Sequence, residues 1–386
     1  MKVLLVVTGM SMGGAEKVVA DLADAFVAGG DEVRLVYLKG PLQVRPQRPE
    51  VQLVCLGMDS MKGVVAGISS FGKLLREFRP DIVHSHMYHA TMLARLMRLL
   101  VRFPHMISTS HSALDGGRVR VVAYRLTDWL TDISTNVSCE AVDAFVASGA
   151  VRADRMIAIH NGIDVDKFRA SPAARADVRR TFAVADDCRL FVAAGRLGWS
   201  KDYPNMFNAL VRLPKDLDYK LLIAGGGHLR PQLEKQVDDF GLSSRVHFLG
   251  IRDDIAELMA AADVFVLSSV GEGFGLVVAE AMACECVVVA TDSGGVREVL
   301  GDPGFLVPSQ DPDALAAAIV AAVSLSKAEA IELGKAARRR VVETYSFERS
   351  IEKWRELYGN LLAGTPKRVD VPRDARAMTP PENAAR

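Results

Sequence analysis

The segment that decides the fold is Val264-Phe-Val-Leu-Ser-Ser-Val-Gly-Glu-Gly-Phe-Gly-Leu-Val-Val-Ala-Glu-Ala-Met-Ala-Cys-Glu285. Its apolar run Val264–Leu267 predicts a buried strand. The glycine-rich stretch Gly271–Gly275 predicts a turn, and the run Leu276–Cys284 predicts a helix that begins directly after it. The order strand, glycine turn, helix is typical of a crossover in a parallel α/β sheet.

Two carboxylates in this segment indicate the kind of ligand it suits. Glu272 lies in the glycine turn and Glu280 a little over one turn inside the predicted helix. A glycine turn that leads into a helix presents free backbone N–H groups and the positive end of the helix dipole, which favour an anion. The two acids repel a bare phosphate but accept hydrogen bonds from hydroxyls. The pattern therefore favours a ligand with both a phosphate and a polyol, such as a nucleotide-sugar.

Length, composition and charge narrow the class of protein. A chain of 386 residues predicts two domains of roughly 150–200 residues. The formal net charge is zero, which argues against nucleic acid or a strongly acidic partner. Five cysteines without a CxxC pair predict a reduced, cytoplasmic compartment. No run approaches the ~18–20 apolar residues that span a bilayer, so we expect a soluble or at most peripheral protein.

Short apolar runs alternate with helical patterns along the whole chain, which predicts an α/β fold with two doubly wound, Rossmann-like domains facing a cleft. We expect an N-terminal domain over residues 1–165, a linker near Ser171-Pro172 and a C-terminal domain over residues 166–345. A last helix is expected over residues 346–363, followed by a disordered tail over residues 365–386.

A second loop with phosphate-binding character follows the predicted strand Arg189–Ala194. Gly195, Arg196 and Lys201 lie in this loop, at the carboxyl end of the strand. Two cations that reach one ligand neutralise a diphosphate without a metal ion. The alternative interpretation is that both are ordinary solvated surface charges.

Paired glycines open the first predicted helix. Gly13 and Gly14 allow a phosphate or sugar to approach the backbone closely. The segment is neither GxGxxG nor a P-loop, so a dinucleotide site is disfavoured. A tight structural turn explains the pair equally well.

Histidines and Asp-x-Asp pairs are the remaining candidates for chemistry. His84 and His86 alternate on one strand without a carboxylate nearby, which disfavours a metal site. We interpret His84 and His89 as structural, and His111, which ends another strand, as a ligand contact. The pairs that begin at Asp164, Asp216 and Asp311 are interpreted as caps and turns, so no metal site is predicted.

A basic helix pattern leaves two interpretations open. Arg95, Arg98 and Arg102 recur at helical spacing opposite a row of leucines and a methionine. Such a helix suits either an anionic membrane surface or simple solvation.

Taken together, these motifs resemble the GT-B glycosyltransferases of the retaining family 4, over about Met1–Leu362. The resemblance rests above all on Glu272-Gly-Phe-Gly with Glu280, and on several weaker motifs in the family's order. These are Gly13-Gly14-Ala-Glu16, His84-Ser-His86, His111, Asn161-Gly-Ile-Asp164 with Phe168, and Gly195-Arg-Leu with Lys201-Asp202.

The resemblance implies roles for individual residues. Arg196 and Lys201 would hold the donor diphosphate, and Glu272 would contact the donor sugar near the amides of Phe274 and Gly275. Glu280 would bind the ribose, His111 the transferred sugar, and Gly14, beside Gly13, would approach the phosphates. The final helix would return to the N-terminal domain.

The implied activity is transfer of a sugar from a nucleotide-diphosphate-sugar to a glycan or lipid-linked acceptor with retention of configuration and without a metal or other cofactor. A role in cell-envelope polysaccharide synthesis at the inner face of the cytoplasmic membrane is the expectation. Two alternatives remain: a sugar-nucleotide 2-epimerase of related fold, and a non-catalytic nucleotide-binding subunit.

Overall fold

A computed structural model describes residues 1–112 and 117–364. Within it the chain forms two compact units. One contains residues 1–162 together with residues 350–364, and the other contains Ile163–Arg349. The tail predicted to be disordered, residues 365–386, lies outside the described residues.

The first unit is built on a seven-stranded sheet in the order β3-β2-β1-β4-β5-β6-β7, with every pair parallel. Its strands are β1 (Lys2–Val7), β2 (Glu32–Tyr37), β3 (Gln52–Cys55), β4 (Ile82–His86), β5 (His105–Ser110), β6 (Ile133–Asn136) and β7 (Met156–Ala158). Its helices are α1 (Gly14–Ala28), α2 (Met61–Phe78), α3 (Tyr88–Met97), α4 (Gly117–Thr127) and α5 (Cys139–Ala147). Most of the final helix α14 (Phe347–Leu362) also belongs to it.

The second unit is built on a six-stranded parallel sheet in the order β10-β9-β8-β11-β12-β13. Its strands are β8 (Arg189–Ala194), β9 (Tyr219–Ala224), β10 (Val246–Gly250), β11 (Val264–Leu267), β12 (Val287–Asp292) and β13 (Phe305–Pro308). Its helices are α6 (Pro172–Thr181), α7 (Tyr203–Val211), α8 (Arg230–Asp239), α9 (Ile255–Ala261), α10 (Leu276–Ala283), α11 (Val296–Leu300), α12 (Pro312–Val323) and α13 (Lys327–Tyr345).

Both sheets have the strand order of doubly wound folds, in which the first strand of the unit lies inside the sheet and later strands are added on either side of it. The central strands β1 and β11 are buried along almost their whole length, as expected for parallel strands covered on both faces. The predicted fold class, two Rossmann-like α/β domains, is confirmed.

The linker predicted near Ser171-Pro172 is wrong. Ser171 is the N-cap of α6: its hydroxyl accepts a hydrogen bond from the Ala174 amide at 3.2 Å, and Pro172 occupies the first helical turn. Proline is favoured there because that position needs no N–H. The chain instead passes from the first unit to the second after Gly162.

The helix α14 completes the core of the first unit. Trp354, Leu357 and Tyr358 are buried in the same cluster as the side chains of β1 and α1. The Tyr358 ring stacks on Phe26 with centroids 4.8 Å apart. Each such side chain contributes roughly 1.5–3 kcal/mol through burial, so α14 stabilises β1 and α1.

The predicted basic stripe on α3 is wrong at Arg95. The helix ends at Met97, and Arg95 is fully buried. Its guanidinium donates to Thr131 Oγ1 at 2.8 Å and to Ser134 Oγ at 3.1 Å, with Asp128 at 3.7 Å. Burial lowers the pKa of Arg95 to about 10, although Asp128 opposes the shift. Arg95 therefore holds α3 inside the unit and presents no charge to solvent.

Among the described residues, no single helix is both long and apolar enough to cross a bilayer. In this part of the chain, α12 and α13 are long and apolar enough for that when taken together, but the pair is bent by 111°. Leu315 and Ile319 of α12 are buried in the core of the second sheet.

Candidate active site

An ion pair joins two strand ends in the second unit. The strands β8 and β11 are parallel neighbours, so their carboxyl ends lie at one edge of the sheet. Lys201 follows β8 and Glu272 follows β11, and Lys201 Nζ lies 2.5 Å from Glu272 Oε1. Ser269 also donates to Glu272 Oε1, at 2.6 Å. The structure thus brings together two of the predicted site residues.

Backbone contacts fix the two loops to each other. Ser268 Oγ donates to the Lys201 carbonyl oxygen at 2.8 Å, and the Val270 amide donates to the Ser200 carbonyl oxygen at 2.9 Å. The side chains of Lys201 and Glu272 are 15% and 13% exposed. The pair is therefore held in place before any ligand binds, and each charge still reaches solvent.

Glycines leave room for this pair. Gly195 has φ +151°, and a Cβ there would lie 2.8 Å from Lys201 Cε. Gly294, after β12, has φ +55°, and a Cβ there would overlap the Glu272 carbonyl oxygen. The predicted importance of Gly195 thus has a steric basis. Gly294 was missed, although it follows a buried strand and begins the glycine pair Gly294-Gly295.

A buried tyrosine lies behind the ion pair. Tyr203, in the first turn of α7, donates to the Gly195 carbonyl oxygen at 3.3 Å. Burial raises the pKa of the Tyr203 phenol, and the nearby Glu272 carboxylate raises it further. The phenol therefore stays a hydrogen-bond donor, and it anchors the turn that carries Gly195 and Lys201.

The helix α10 presents its N-terminus beside Glu272. Gly275 caps the helix in a left-handed conformation, φ +91°, without a side-chain acceptor for the first N–H groups. Phe274 is buried, and its ring packs edge-on against Tyr345 with centroids 5.4 Å apart. Phe274 is thus an anchor for the turn, and any ligand contact at this position falls to backbone groups.

The other predicted residues of this unit lie on the same elements. Arg196 directly follows Gly195, and its side chain is exposed. Glu280 lies in α10 and is half-buried. The contact of these two side chains with a ligand remains a prediction.

In the first unit, three histidines form a chain that ends at His111. His84 is satisfied on both ring nitrogens, by the Tyr358 hydroxyl and Thr109 Oγ1, each at 2.6 Å. Its ring lies 4.0 Å, centroid to centroid, from that of His86. His86 Nδ1 in turn lies 3.1 Å from His111 Nε2. The structural role predicted for His84 is confirmed, and a role for His86 was missed.

The histidine chain is neutral at ordinary pH. Burial lowers the pKa of His111 to about 4. Burial and the neighbouring histidines also hold the pKa values of His84 and His86 well below 6.5. His86 Nε2 and His111 Nδ1 are buried and have no partner among the described residues. His111 Nδ1 therefore offers one unused donor or acceptor to a ligand.

His111 lines a cavity of about 280 Å³ at the carboxyl ends of β1, β4 and β5. Its walls also contain Thr8, Ala15, Met87, Tyr88, His89, Ser110, Ser112, Arg120, Tyr124 and Phe145. The interpretation of His89 as structural is wrong, because its side chain is exposed, packs edge-on against the Tyr88 ring and borders this cavity. Ala15 places the start of α1 at this cavity, directly after Gly13 and Gly14.

The Asp-x-Asp pairs behave as predicted where the structure records their bonds. Asp164 Oδ1 accepts from the Lys167 amide at 2.8 Å, and Asp311 caps α12 by accepting from the Ala314 amide at 2.9 Å. Both carboxylates thus stabilise turns.

With this geometry established, comparison with known proteins identifies the family. Residues 12–167 match the family described as Glycosyltransferase Family 4, and residues 188–324 match Glycosyl transferases group 1. The alpha-maltose-1-phosphate synthase of Mycolicibacterium smegmatis is 30% identical over 320 residues, which are 73% of this chain and 79% of that protein. The chain belongs to the group 1 glycosyltransferases of family 4.

Two further proteins show how widely the likeness extends. The UDP-Gal:alpha-D-GlcNAc-diphosphoundecaprenol alpha-1,3-galactosyltransferase of Escherichia coli is 26% identical, over 81% of this chain and 83% of that one. Anabaena Alr3699/HepE, solved in complex with UDP-glucose, is 22% identical and superposes with a TM-score of 0.85, covering 93% of this chain and 100% of that one. The GT-B fold and an enzyme of the hexosyltransferase type are thereby confirmed for this glycosyltransferase.

Proposed function

We propose that this glycosyltransferase moves a sugar from a nucleotide-diphosphate-sugar to a hydroxyl of a glycan or lipid-linked acceptor, with retention of anomeric configuration and without a metal ion. We further propose that the product belongs to a cell-envelope polysaccharide, such as lipopolysaccharide, capsule or exopolysaccharide. In this proposal the enzyme works in the cytoplasm, in peripheral contact with the inner face of the cytoplasmic membrane.

The observation that carries the proposal is the Lys201–Glu272 pair beside the N-terminus of α10. A cation, a carboxylate that accepts hydrogen bonds and free helix N–H groups lie at one sheet edge. The cation and the N–H groups suit a diphosphate, and the carboxylate suits the hydroxyls of a sugar joined to it. The named ligands of the relatives support the donor class, since one is bound to UDP-glucose and another is named for UDP-Gal and a diphosphoundecaprenol-linked sugar.

In this proposal Lys201 neutralises charge on the departing diphosphate, with Arg196 from the same loop. Glu272 accepts hydrogen bonds from the donor sugar. The two observed bonds to Glu272 both end on Oε1, so Oε2 is the atom expected to meet the sugar hydroxyls. Glu280 is proposed to bind the ribose. Such fixed charges stabilise a transition state because they need no reorganisation when the bond breaks.

The proposed reaction is attack from the face that the diphosphate leaves. The anomeric carbon–phosphate oxygen bond breaks, and the acceptor oxygen forms its bond to the anomeric carbon on the same side. The departing phosphate oxygen receives the acceptor hydroxyl proton, so a nucleoside diphosphate and a glycoside with unchanged configuration result. His111 is proposed to contact the transferred sugar through its unpartnered Nδ1, and Gly13 and Gly14 to border the phosphates.

The experiment is a transfer assay with UDP-, GDP- and ADP-sugars and a panel of acceptors. We expect one donor to be consumed, with an α-linked product from an α-linked donor by NMR. Lys201→Met and Glu272→Gln should each lose about 10²-fold or more in kcat/KM. The control is Lys235→Met, which breaks an exposed pair with Asp239 in the same unit and should leave activity intact.

Three outcomes would contradict the proposal. An isomerised donor in the absence of acceptor would favour the epimerase. Unaltered activity in both Lys201→Met and Glu272→Gln would remove the assigned site. An inverted product would disprove retention.

A further inference from the structure

The helix α4 exposes a continuous apolar row. Val119, Val122 and Leu126, with Trp129 in the short 3-10 turn that follows, are 78%, 52%, 68% and 68% exposed. Their spacing of three, four and three residues places the helical members on one face. A row of this length on a helix surface indicates an interface with an apolar partner.

The charged side chains of α4 itself are all basic, and the two acids that follow it, Asp128 and Asp132, are paired with Arg155 and Arg98. Arg118 and Arg125 are exposed and directly precede Val119 and Leu126. Between residues 82 and 127 the sequence contains six arginines and one acid, Asp115, which lies outside the described residues. We call Val119, Val122, Leu126, Trp129, Arg118 and Arg125 the α4 face. Its arginines fit a partner that is both anionic and apolar, as a bilayer of acidic phospholipid is.

The end of α3 also exposes apolar side chains. Leu96, Leu99 and Leu100 are each more than half exposed. Arg98 Nη1 donates to the Leu130 carbonyl oxygen at 3.0 Å, and Arg95 reaches Thr127. These contacts fix the end of α3 beside the end of α4. Of the two interpretations left open for the Arg95, Arg98 and Arg102 row, neither holds for Arg95, which is buried and braces α3, so a membrane contact in this region would depend on α4.

The opposite side of α4 faces the cavity that His111 lines. Arg120 and Tyr124 belong to the cavity wall, where the Arg120 guanidinium lies 4.7 Å from the centre of the Tyr88 ring. Tyr124 is buried and packs edge-on against Tyr88 and Phe145. One helix thus separates the cavity from the exposed apolar row.

We propose that the α4 face rests on an anionic lipid bilayer, with its apolar row in the boundary between headgroups and acyl chains and Arg118 and Arg125 on lipid phosphates. This seats the cavity at the headgroup level, where a lipid-linked acceptor presents its sugar. The acceptor part rests on the proposed function, whereas binding to the bilayer does not.

Flotation of the full chain with vesicles tests the proposal. We expect recovery with vesicles of phosphatidylglycerol and phosphatidylcholine, and little recovery with phosphatidylcholine alone or at high salt. The double variants Val122→Asp/Leu126→Asp and Arg118→Glu/Arg125→Glu should each lose about tenfold or more in partition coefficient. Circular dichroism would verify that each variant is folded.

The matched control is Val65→Asp, which changes a 70% exposed apolar residue on α2 in the same unit. It should float as the unaltered chain does. An equal loss in Val65→Asp, or recovery of the unaltered chain wholly in the soluble fraction, would overturn the assignment. So would a dimer in light scattering that the Val122→Asp/Leu126→Asp variant abolishes while vesicles leave it intact.

Transfer to a water-soluble acceptor separates the two proposals. The α4 variants should keep this activity while they lose flotation, and Glu272→Gln should lose the activity while it still floats. Flotation without any transferase activity would leave the membrane surface standing and contradict the proposed function. Transferase activity without flotation would support the proposed function and contradict the membrane surface.

Discussion

At the residue scale, the candidate site depends on one partly buried ion pair. Ser269 donates a hydrogen bond to Glu272, and Gly195 and Gly294 leave the space that the pair occupies. Larger residues at either glycine would displace the pair. Removing either partner leaves the other charge poorly solvated, which costs more than the pair itself contributes. We therefore expect both residues to affect stability as well as the proposed chemistry.

A double-mutant cycle on this pair gives the first prediction. Lys201→Met and Glu272→Gln should each lower the free energy of unfolding by about 1–3 kcal/mol. The combined variant should lose less than the sum, because neither charge is then left alone. Denaturant unfolding measures all three values. Strict additivity would mean that the two side chains do not interact in solution.

The second prediction concerns Gly294. Alanine there would clash with the Glu272 carbonyl oxygen and would hold a left-handed conformation. We expect a loss of at least about 2 kcal/mol in unfolding free energy and a displaced Glu272. Gly241→Ala is the control, because Gly241 has a similar φ, +68°, with nothing within 4 Å of the added Cβ. Equal losses of unfolding free energy in the two variants would mean that backbone strain alone, and not the clash with Glu272, causes the effect.

The buried histidines predict acid sensitivity. The pKa of His111 is about 4 in the folded chain against about 6.5 when unfolded, and those of His84 and His86 are also lowered. The unfolded state therefore binds more protons in this window. Stability is complete above about pH 6.5 and is lost as the pH falls towards 4.

Urea unfolding at a series of pH values tests this third prediction. The free energy of unfolding should decline by a few kcal/mol across the window. In His86→Asn, which has one fewer titrating imidazole, the decline should be shallower. If the free energy of unfolding fell equally steeply with pH in both proteins, the histidine chain would not be the cause of the loss of stability in acid.

The sequence predicts the chemistry of single residues better than their contacts. A glycine turn after an apolar strand locates Lys201 and Glu272 at sheet edges, because parallel strands must end together. Nothing in that pattern specifies that His86 contacts His111 or that Arg95 points inward. Those outcomes depend on side-chain rotamers and on the packing of α3 against α4, which spacing alone leaves open.

At the scale of elements, buried strands are the most predictable part of the fold. β8 and β11 are predicted with their observed ends because each is made almost wholly of a continuous apolar run. β3 was missed since it is a half-exposed edge strand, and α6 was missed since Pro172 suggested a break in structure. In both places a tertiary or capping interaction outweighs the local signal.

The fourth prediction concerns α14. Trp354→Ala removes a ring that is buried against the His84 ring at 4.7 Å and within the first unit's core. We expect a loss of about 3–5 kcal/mol in unfolding free energy. Gly359→Ala is the control on the same helix, where an added Cβ meets no atom within 4 Å. It should stabilise the chain by about 0.5–1 kcal/mol, and destabilisation there would mean that the helix is not formed as described.

At the scale of the whole molecule, two parallel sheets supply separate candidate surfaces. The second unit carries the ion pair and the α10 N-terminus, and the first carries the histidine chain and its cavity. The fold class could be predicted from alternation alone. The passage between units could not, because Asn161-Gly162 and Ser171-Pro172 are both turn signals and only packing decides between them.

The fifth prediction follows from the proposed chemistry without a metal. Sugar transfer in EDTA should remain within about twofold of the untreated rate, because Lys201 and Arg196 supply the positive charge that a divalent ion would otherwise provide. Glu272→Gln serves as the inactive reference. Loss of activity in EDTA that Mg²⁺ or Mn²⁺ restores would require a metal and overturn this part of the proposal.

The return of α14 to the first unit has a consequence for biosynthesis. The ribosome makes all seven strands of the first sheet before it makes Trp354, Leu357 and Tyr358. Phe26 and its neighbours therefore stay uncovered while the second unit, which is continuous in sequence, is completed and can fold first. The nascent chain thus exposes an apolar surface until α14 has been made, and this interval is when chaperones have the most to protect.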